Sequence, residues 1–256
     1  MTLNECRPST PFVRFEDVQE THGEFVVTRG AHQLQLPPAF RIAKYLVTNR
    51  HFLEFVKGGA YQDDSLWAAS PGARAAFLMA DQQTMGPAAW PDLASSLDGK
   101  LDHPVSGICY LEAQAFVNWY NRNKPPQPGW LWALASEDFW EFAARGAAGL
   151  IYPWGDAFDT ARCNSAERGI GAPSAVTLFE SGASPYGCCD MAGNVWEFVT
   201  ATDAGVDWCV LRGGSYKNSG TEVRSYLRLE RVPTWHRAPD FGFRLVQIQS
   251  LGAISS

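Results

Sequence analysis

The sequence predicts an α+β fold in which two packed helices and a small antiparallel sheet are joined by much irregular backbone. Segments with apolar residues at helical spacing end at glycine or proline. Short extended segments occur near the start of the chain and again after Gly149. The C-terminal third combines many glycines with large aromatic side chains, which is typical of an irregular core with tight turns.

The first part of the chain contains the weakest signals of secondary structure. Residues 1–24 are polar and are interpreted as an irregular lead-in, and residues 25–250 are expected to form a single domain. Residues 24–28 and 33–36 predict two short strands, and residues 40–47 predict a further extended segment.

Three helices have clear start and stop signals. Thr48 is suited to cap a helix over Asn49–Lys57, which Gly58 would end. The strongest helical period lies over Tyr110–Asn123, which two prolines follow. Ser136 is suited to cap a third helix, which would run to Gly146. Between the first two helices the chain is rich in loops, and its tryptophans are expected to pack onto the core.

The composition excludes several functional classes. The chain has 256 residues, a formal net charge of −6 and no lysine-rich run, so neither nucleic acid nor an anionic membrane surface is an expected partner. No segment approaches about 18 uninterrupted apolar residues, and no signal peptide is evident at Met1. A cytoplasmic protein with six free thiols is therefore expected.

Several distinctive sequence blocks occur along the chain. They are R-I-A-K-Y-L-V-T-N from Arg41, H-P-V-S from His103, E-D-F-W-E-F-A-A-R-G with Y-P-W-G-D from Glu137, D-M-A-G-N-V-W-E-F from Asp190, R-G-G-S-Y from Arg212 and G-F-R from Gly242. Together these blocks resemble the formylglycine-generating-enzyme (sulfatase-modifying-factor) family, a subtype of the C-type lectin fold. These blocks span the chain from Arg41 onward, and their order implies the C-type-lectin-like fold. Secreted members carry cystines at positions matched here by Val117, Ala144 and Leu245, so those bridges cannot form.

The D-M-A-G-N-V-W-E block is a candidate calcium site. A hard cation takes carboxylate and carbonyl oxygens from a tight loop. The resemblance assigns the side chains of Asp190 and Glu197 and the carbonyl groups of Gly193 and Val195 to one Ca²⁺ ion. The alternative is that both carboxylates cap turns or accept from backbone N–H groups. A second family calcium site near Asn164 is expected to be absent, because residues 168–179 contain no Asp or Glu.

The redox centre of the family's oxidases is not expected. Those enzymes bind copper through two cysteines that follow the G-G-S-aromatic turn, since a soft Cu(I) ion requires thiolates. The matching positions are Asn218 and Val223, and residues 216–244 contain no cysteine. Related sulfoxide synthases take iron histidines largely from a separate helical domain, and this chain has only five scattered histidines. We therefore expect no copper and no catalytic residue.

The arginine-rich segment between the last two blocks is typical of a displayed surface loop. Its side chains include types that dominate binding surfaces. The predicted ligand-binding residues are Tyr216, Lys217, Asn218, Thr221, Glu222, Tyr226, Leu227, Leu229, Glu230, Trp235 and His236. The alternative is a solvated loop packed on its own scaffold.

Two functional hypotheses follow from these residues. The first is a non-catalytic module that displays residues 216–240 to a protein or small-molecule ligand. Variable proteins of diversity-generating retroelements use this lectin subtype with mutable positions between the same two blocks, although Lys217, Glu222, Glu230 and Trp235 do not readily arise from mutated asparagine codons. The second is an oxidase or maturation factor with a different metal centre, and a weaker third is a regulatory domain.

Overall fold

The computed structural model describes residues 12–13, 28–29, 32–33, 40–67, 86–201, 204–205 and 207–249. The helices are α1 (Asn49–Lys57), α2 (Leu93–Leu97), α3 (Tyr110–Asn123) and α4 (Glu137–Arg145). The strands are β1 (Phe12–Val13), β2 (Thr28–Arg29), β3 (His32–Gln33), β4 (Phe40–Ala43), β5 (Trp130–Leu134), β6 (Trp196–Val199), β7 (Trp208–Arg212), β8 (Arg228–Pro233), β9 (Phe241–Gly242) and β10 (Leu245–Gln249). Single 3₁₀ turns lie at Ala60–Gln62, Asp64–Leu66, Ala166–Arg168 and Glu180–Gly182.

Three sheets organise these strands. The first has the order β1-β4-β10-β5, the second is the β2-β3 pair, and the third has the order β8-β7-β6-β9. All pairs are antiparallel except β6 with β9. Strand β10 lies between β4 and β5, with Val246 opposite both Ile42 and Ala133. This pairing fixes the end of the chain against its earlier part.

The main core lies where α1 and α3 meet. The Phe52 ring stacks on Phe116 with 5.4 Å between centroids, and Phe243 contacts both rings edge-on. Because both helices place aromatic residues three or four positions apart, their apolar faces meet in one layer. Trp67 is buried in this core and Trp90 packs against it, as the sequence indicated.

The predicted bounds of α1 and α3 are confirmed. Helix α4 begins after Ser136, whose Oγ accepts a hydrogen bond from the Phe139 N–H at 3.2 Å, and it ends before Gly146. The predicted strands near residues 24–28 and 33–36 lie largely outside the described residues. Only Thr28 and Gln33 of those ranges are described, and both lie in the short β2-β3 pair.

The prediction of one displayed loop over residues 216–240 is wrong in part. Residues 228–233 form β8, which pairs with β7. Most arginines in and around the segment point inward, because carboxylates on other elements pair with them. Arg212 and Arg244 are fully buried, and Arg237 is nearly so. The regularly spaced arginines therefore form internal ion pairs as well as surface positions.

The outer side of β5 is closed by a side chain. The Asn121 amide on α3 donates to the Trp132 carbonyl at 2.8 Å and accepts from the Trp132 N–H at 2.9 Å. It satisfies the backbone groups that a neighbouring strand would otherwise take. The five described cysteines are free and buried, and Cys6 lies outside the described residues. No helix in the described part of the chain has the length and hydropathy of a membrane span.

Candidate functional site

A glycine pair shapes the turn that opens the predicted binding segment. Gly213 and Gly214 have φ of +93° and +74°, a region that favours glycine. A Cβ on Gly214 would lie 2.7 Å from Val223 Cγ1, so the close approach requires glycine there. The turn thereby packs Gly214 directly against Val223.

The positions assigned by resemblance to the copper cysteines are filled by structural contacts. Asn218 Oδ1 accepts from the Ser215 backbone N–H at 3.0 Å and lies 2.8 Å from Ser215 Oγ. Ser215 Oγ also lies 2.7 Å from Asp240 Oδ2. Val223 is fully buried. An amide that closes a turn and an apolar core residue occupy the two places, so neither offers a soft ligand.

Arg212 supports the backbone of the segment from inside. Its Nη2 donates to the Ser225 carbonyl at 2.9 Å, and its Nη1 donates to the Tyr226 carbonyl at 3.3 Å. The same guanidinium pairs with Glu141 at 2.6 Å and Glu137 at 3.1 Å on α4. Because Arg212, Glu141 and Ser225 are fully buried, this network fixes the turn before β8 to the helix.

A second arginine anchors the turn after β8. Arg237 donates through Nε and Nη2 to the two carboxylate oxygens of Glu112, at 2.7 and 2.6 Å. Glu112 is fully buried on α3 and also accepts from the Tyr61 hydroxyl and the Cys109 N–H. Burial raises the pKa of Glu112, and the charge of Arg237 opposes that shift. The segment is thus held at both ends of β8.

The eleven predicted binding residues fall into two classes. The exposed class comprises Lys217, Thr221, Glu222, Tyr226, Glu230, Trp235 and His236. The half-buried class comprises Tyr216, Asn218, Leu227 and Leu229. Leu229 packs against the main core, and Asn218 closes the turn described above. These two are structural, whereas Trp235, at 48% exposure, displays a large apolar ring.

Residues 240–241 bring together two groups of exposed side chains. Lys217 Nζ lies 2.8 Å from Asp240 Oδ1 and 5.4 Å from the centre of the Tyr216 ring. His236 contacts the Phe241 ring edge-on, and Trp235 contacts His236. The start and the end of the segment therefore meet in space, although more than fifteen residues separate them in sequence.

The remaining exposed residues make contacts local to the segment. Glu222 accepts from the Ser219 N–H at 2.8 Å, and Thr221 Oγ1 lies 2.9 Å from Ser219 Oγ. Glu230 pairs with Arg228 at 2.9 Å. These contacts hold the polar positions in place without burying them.

The predicted cation loop contains a buried carboxylate without a partner. Both oxygens of Asp190 are buried and have no hydrogen-bond partner within 3.5 Å, and the nearby Asn194 side chain only partly offsets the effect of burial on the carboxyl pKa. Burial raises the pKa of this carboxyl to about 7. The backbone of Asp190 and Asn194 is left-handed, with φ of +57° and +65°. Two oxygens held in this way fit a cation better than the turn-capping alternative, which would give them N–H partners.

Glu197, the second predicted carboxylate ligand, already has a charged partner. Arg244 donates to its two oxygens through Nε at 2.6 Å and Nη2 at 2.8 Å, and both side chains are fully buried. Arg244 also donates to the Cys189 carbonyl at 2.8 Å. A cation at this loop would have to share Glu197 with the guanidinium.

The region predicted to lack the second calcium site is crossed by amide hydrogen bonds. Asn164 Nδ2 donates to the Ala172 carbonyl at 2.9 Å and to Ser174 Oγ at 3.1 Å. Asn194 Oδ1 accepts from the Ser174 N–H at 2.9 Å. These contacts join the loop after Asn164 to the predicted cation loop, and the absence of a second ion stays a prediction.

Sequence reasoning missed two exposed residues beside the predicted set. Trp208, the first residue of β7, is 45% exposed. Arg231 is exposed and has a left-handed backbone with φ of +55°. An aromatic residue that starts a strand gives no sequence sign of its exposure, and a non-glycine residue gives none of a positive φ.

Comparison with known proteins identifies the family of this chain. Residues 12–248 match the family model of the sulfatase-modifying factor enzyme 1-like domain. The chain belongs to this family. The sulfatase-modifying-factor chain is 33% identical over 215 residues to the mouse protein named inactive C-alpha-formylglycine-generating enzyme 2, covering 73% of this chain and 66% of that protein. It is 28% identical over 238 residues to hercynine oxygenase of Mycolicibacterium smegmatis, covering 82% of this chain and 53% of that protein.

Solved structures show that the fold of this sulfatase-modifying-factor domain is the C-type-lectin-like fold. Treponema denticola variable protein 1 superposes with a TM-score of 0.59 at 18% identity, covering 84% of this chain and 86% of that one. CarF superposes with a TM-score of 0.61 at 20% identity, covering 88% and 93%. The chain spans between about half and two thirds of the two curated relatives named above.

Proposed function

We propose that this domain is a non-catalytic binding module that displays residues 216–240 to a protein or small-molecule ligand. The observation that carries the proposal is the replacement at the copper positions. Asn218 is engaged by Ser215, and Val223 is a core residue. The surrounding turn is intact while the thiolates are absent, so the scaffold is retained without the redox ligands.

The rigidity of the segment supports binding. Arg212 and Arg237 fix its backbone from buried positions, so little conformational freedom is lost when a ligand binds. Tyr226, Trp235 and His236 are exposed on this fixed frame. Exposed aromatic rings on an immobile backbone are the side chains that most often dominate a binding interface.

Two matched triple variants test the proposal. In the first, Tyr226, Trp235 and His236 become alanine; in the second, the exposed apolar residues Leu131, Ile170 and Leu178, which lie outside the segment, become alanine. Both variants and the wild type are screened against one peptide-display library and one small-molecule library. We expect the first variant to lose the wild-type ligands and the second to keep them. Equal retention by both variants contradicts the proposal.

Diversification of this segment by a retroelement is a finer form of the same proposal. The fold shared with Treponema denticola variable protein 1 supports the scaffold alone. Sequencing the DNA beside the gene tests it. A reverse-transcriptase gene with a near-copy of the 3′ end, differing at adenines, is the expected result, and the absence of both removes this form.

A metal-dependent oxidase is the second candidate, and the similarity to hercynine oxygenase favours it. Metal analysis separates the two. The wild type should bind no stoichiometric copper or iron, whereas the double variant N218C/V223C should bind Cu(I), because it restores two thiolates at the turn. The N218S/V223S variant is its control. A wild type that holds redox metal and consumes oxygen with a thiol substrate would favour the oxidase.

One Ca²⁺ ion at the loop 190–197 is also proposed. The unpartnered oxygens of Asp190 support it, with the carbonyl groups of Gly193 and Val195 and one oxygen of Glu197 as the other ligands. Bound calcium would have a structural role, because it would hold together the left-handed turns at Asp190 and Asn194.

A further inference from the structure

A groove beside β8 contains groups that the predicted binding set does not include. It has a volume of about 340 Å³ and is lined by Ala204, Trp208, Val210, Arg228, Glu230 and Arg231. This volume lies in the range of pockets that hold small molecules. Its lining combines apolar side chains with two arginines and a glutamate.

Trp208 forms the aromatic wall of the groove. It lies opposite Pro233 in the β7-β8 register and is 45% exposed, whereas Val210, two residues further on the same face, is buried. The strand therefore leaves its largest side chain partly in water although the neighbouring core position is filled. A half-exposed indole offers a flat apolar face for stacking.

Arg231 supplies the uncompensated charge. The other arginine of the groove, Arg228, is paired with Glu137 at 3.0 Å and Glu230 at 2.9 Å. Within the described part of the chain, Arg231 has no carboxylate partner. It lies where the β7-β8 register shifts, with φ of +55°. A left-handed arginine is strained, and such residues persist where their side chains have a use.

We propose that this groove binds a small carboxylate joined to an apolar ring, with the carboxylate on Arg231 and the ring on Trp208. A guanidinium matches a carboxylate with two parallel hydrogen bonds. Among the described residues that line the groove, Glu230 is the one acidic side chain, and Arg228 already engages it, so the groove favours an anion. The inference rests on the proposed binding function, because β8 lies within residues 216–240.

The edge of the sheet beside the groove is not suited to bind a ligand as an added β-strand. Strand β8 lies at the edge of its sheet and has charged side chains, a register shift against β7 and Pro233, which are features that prevent strand addition. The ligand is therefore recognised by side chains, and an added β-strand is disfavoured.

The experiment compares 3-phenylpropionate with 3-phenylpropionamide, which has the same shape and no charge. Each is titrated into the full chain while the indole N–H signal of Trp208, assigned with W208F, is followed by NMR. We expect the acid to bind about tenfold or more tightly than the amide, because a charged hydrogen-bonded pair is lost in the amide. The variant K57Q, whose exposed lysine lies on α1 outside both the groove and residues 216–240, should bind like the wild type.

Arg231 variants separate recognition from folding. R231Q should lose the preference for the acid. R231G should lose it too, while its Tm stays equal to or above that of the wild type, because glycine relieves the left-handed strain. A residue with only a structural role would not give a folded, stable and non-binding glycine variant.

Three results would overturn the inference. They are equal affinity for acid and amide, full acid binding by R231G, and no signal change at concentrations up to about 10 mM, which is weaker than a specific small-ligand site allows. The triple variant at Tyr226, Trp235 and His236 distinguishes the two proposals. If it loses its library ligands while the groove titration is flat, the display function stands and the groove assignment fails.

Discussion

The turn at residues 213–223 and the loop at residues 190–197 are both built on left-handed backbone, yet their polar groups differ. In the turn, Asn218 and Ser215 satisfy one another, so neither side chain is left to hold a metal ion. In the loop, the Asp190 carboxylate is buried without a partner. Since an unpaired buried carboxylate is costly, the loop has a physical reason to bind a cation and the turn has none.

The largest expected effect is the loss of stability on removal of Arg244, the charged neighbour of the loop. R244A leaves the Glu197 carboxylate buried without its guanidinium, which should cost about 3–5 kcal/mol of unfolding free energy. Urea denaturation measures it. If the loss is below about 1 kcal/mol, the ion pair is not the main support of this loop. Added Ca²⁺ should recover part of the lost stability of R244A, because it offers Glu197 a positive partner in place of the guanidinium.

The next effect concerns Asp190 and pH. Its folded pKa of about 7 lies above its ordinary value, so the folded state holds more protons between about pH 4 and 7 and stability falls as the pH rises through that window. In EDTA, D190N should therefore have a higher Tm than the wild type at pH 8, and the difference should shrink at pH 5. In Ca²⁺ the order should reverse at pH 8. Identical Tm curves with and without Ca²⁺ would remove the cation site.

A smaller effect tests the closed turn. N218A removes the acceptor for the Ser215 N–H and should cost about 1–2 kcal/mol. N218D, which keeps an acceptor oxygen, is the matched control and should lose less. If N218A is as stable as the wild type in urea, the turn does not depend on this amide. The contrast drawn between the turn and the loop at residues 190–197 would then be wrong for the turn.

The smallest effect sets the scale for the others. Arg50 pairs with Asp102 at 2.9 Å on the surface, and R50A should cost less than about 1 kcal/mol because water screens the pair. Urea unfolding of R50A beside R244A shows how far burial changes the value of an arginine. A cost for R50A near that for R244A would contradict this contrast.

Local signals in the sequence predicted the elements that depend on local physics. Thr48 and Ser136 precede helices because their caps and the apolar period act over a few residues. The glycine–aromatic turns were also expected, since the blocks that resemble the family mark them. The family and the C-type-lectin-like fold followed from the order of those blocks.

Long-range pairing could not be predicted in the same way. Glu112 and Arg237 are 125 positions apart and Glu197 and Arg244 are 47 apart, so no window of sequence links them. Arginine spacing was interpreted as a displayed loop because a charge is usually solvated. The tertiary fold gave these arginines buried carboxylates instead. The exposure of Trp208 and the strain at Arg231 depend on the same tertiary context.

The contacts of Arg212 have a consequence for tolerance to substitution. Arg212 holds the carbonyl oxygens of Ser225 and Tyr226, groups that every residue possesses whatever its side chain. The outward side chain of Tyr226 can therefore be exchanged without removing the hydrogen bonds that Arg212 makes to this stretch of backbone. The contacts that fix this stretch of backbone are thus separate from the side chain of Tyr226, which our proposal assigns to recognition, so a substitution there should change binding without loss of folding.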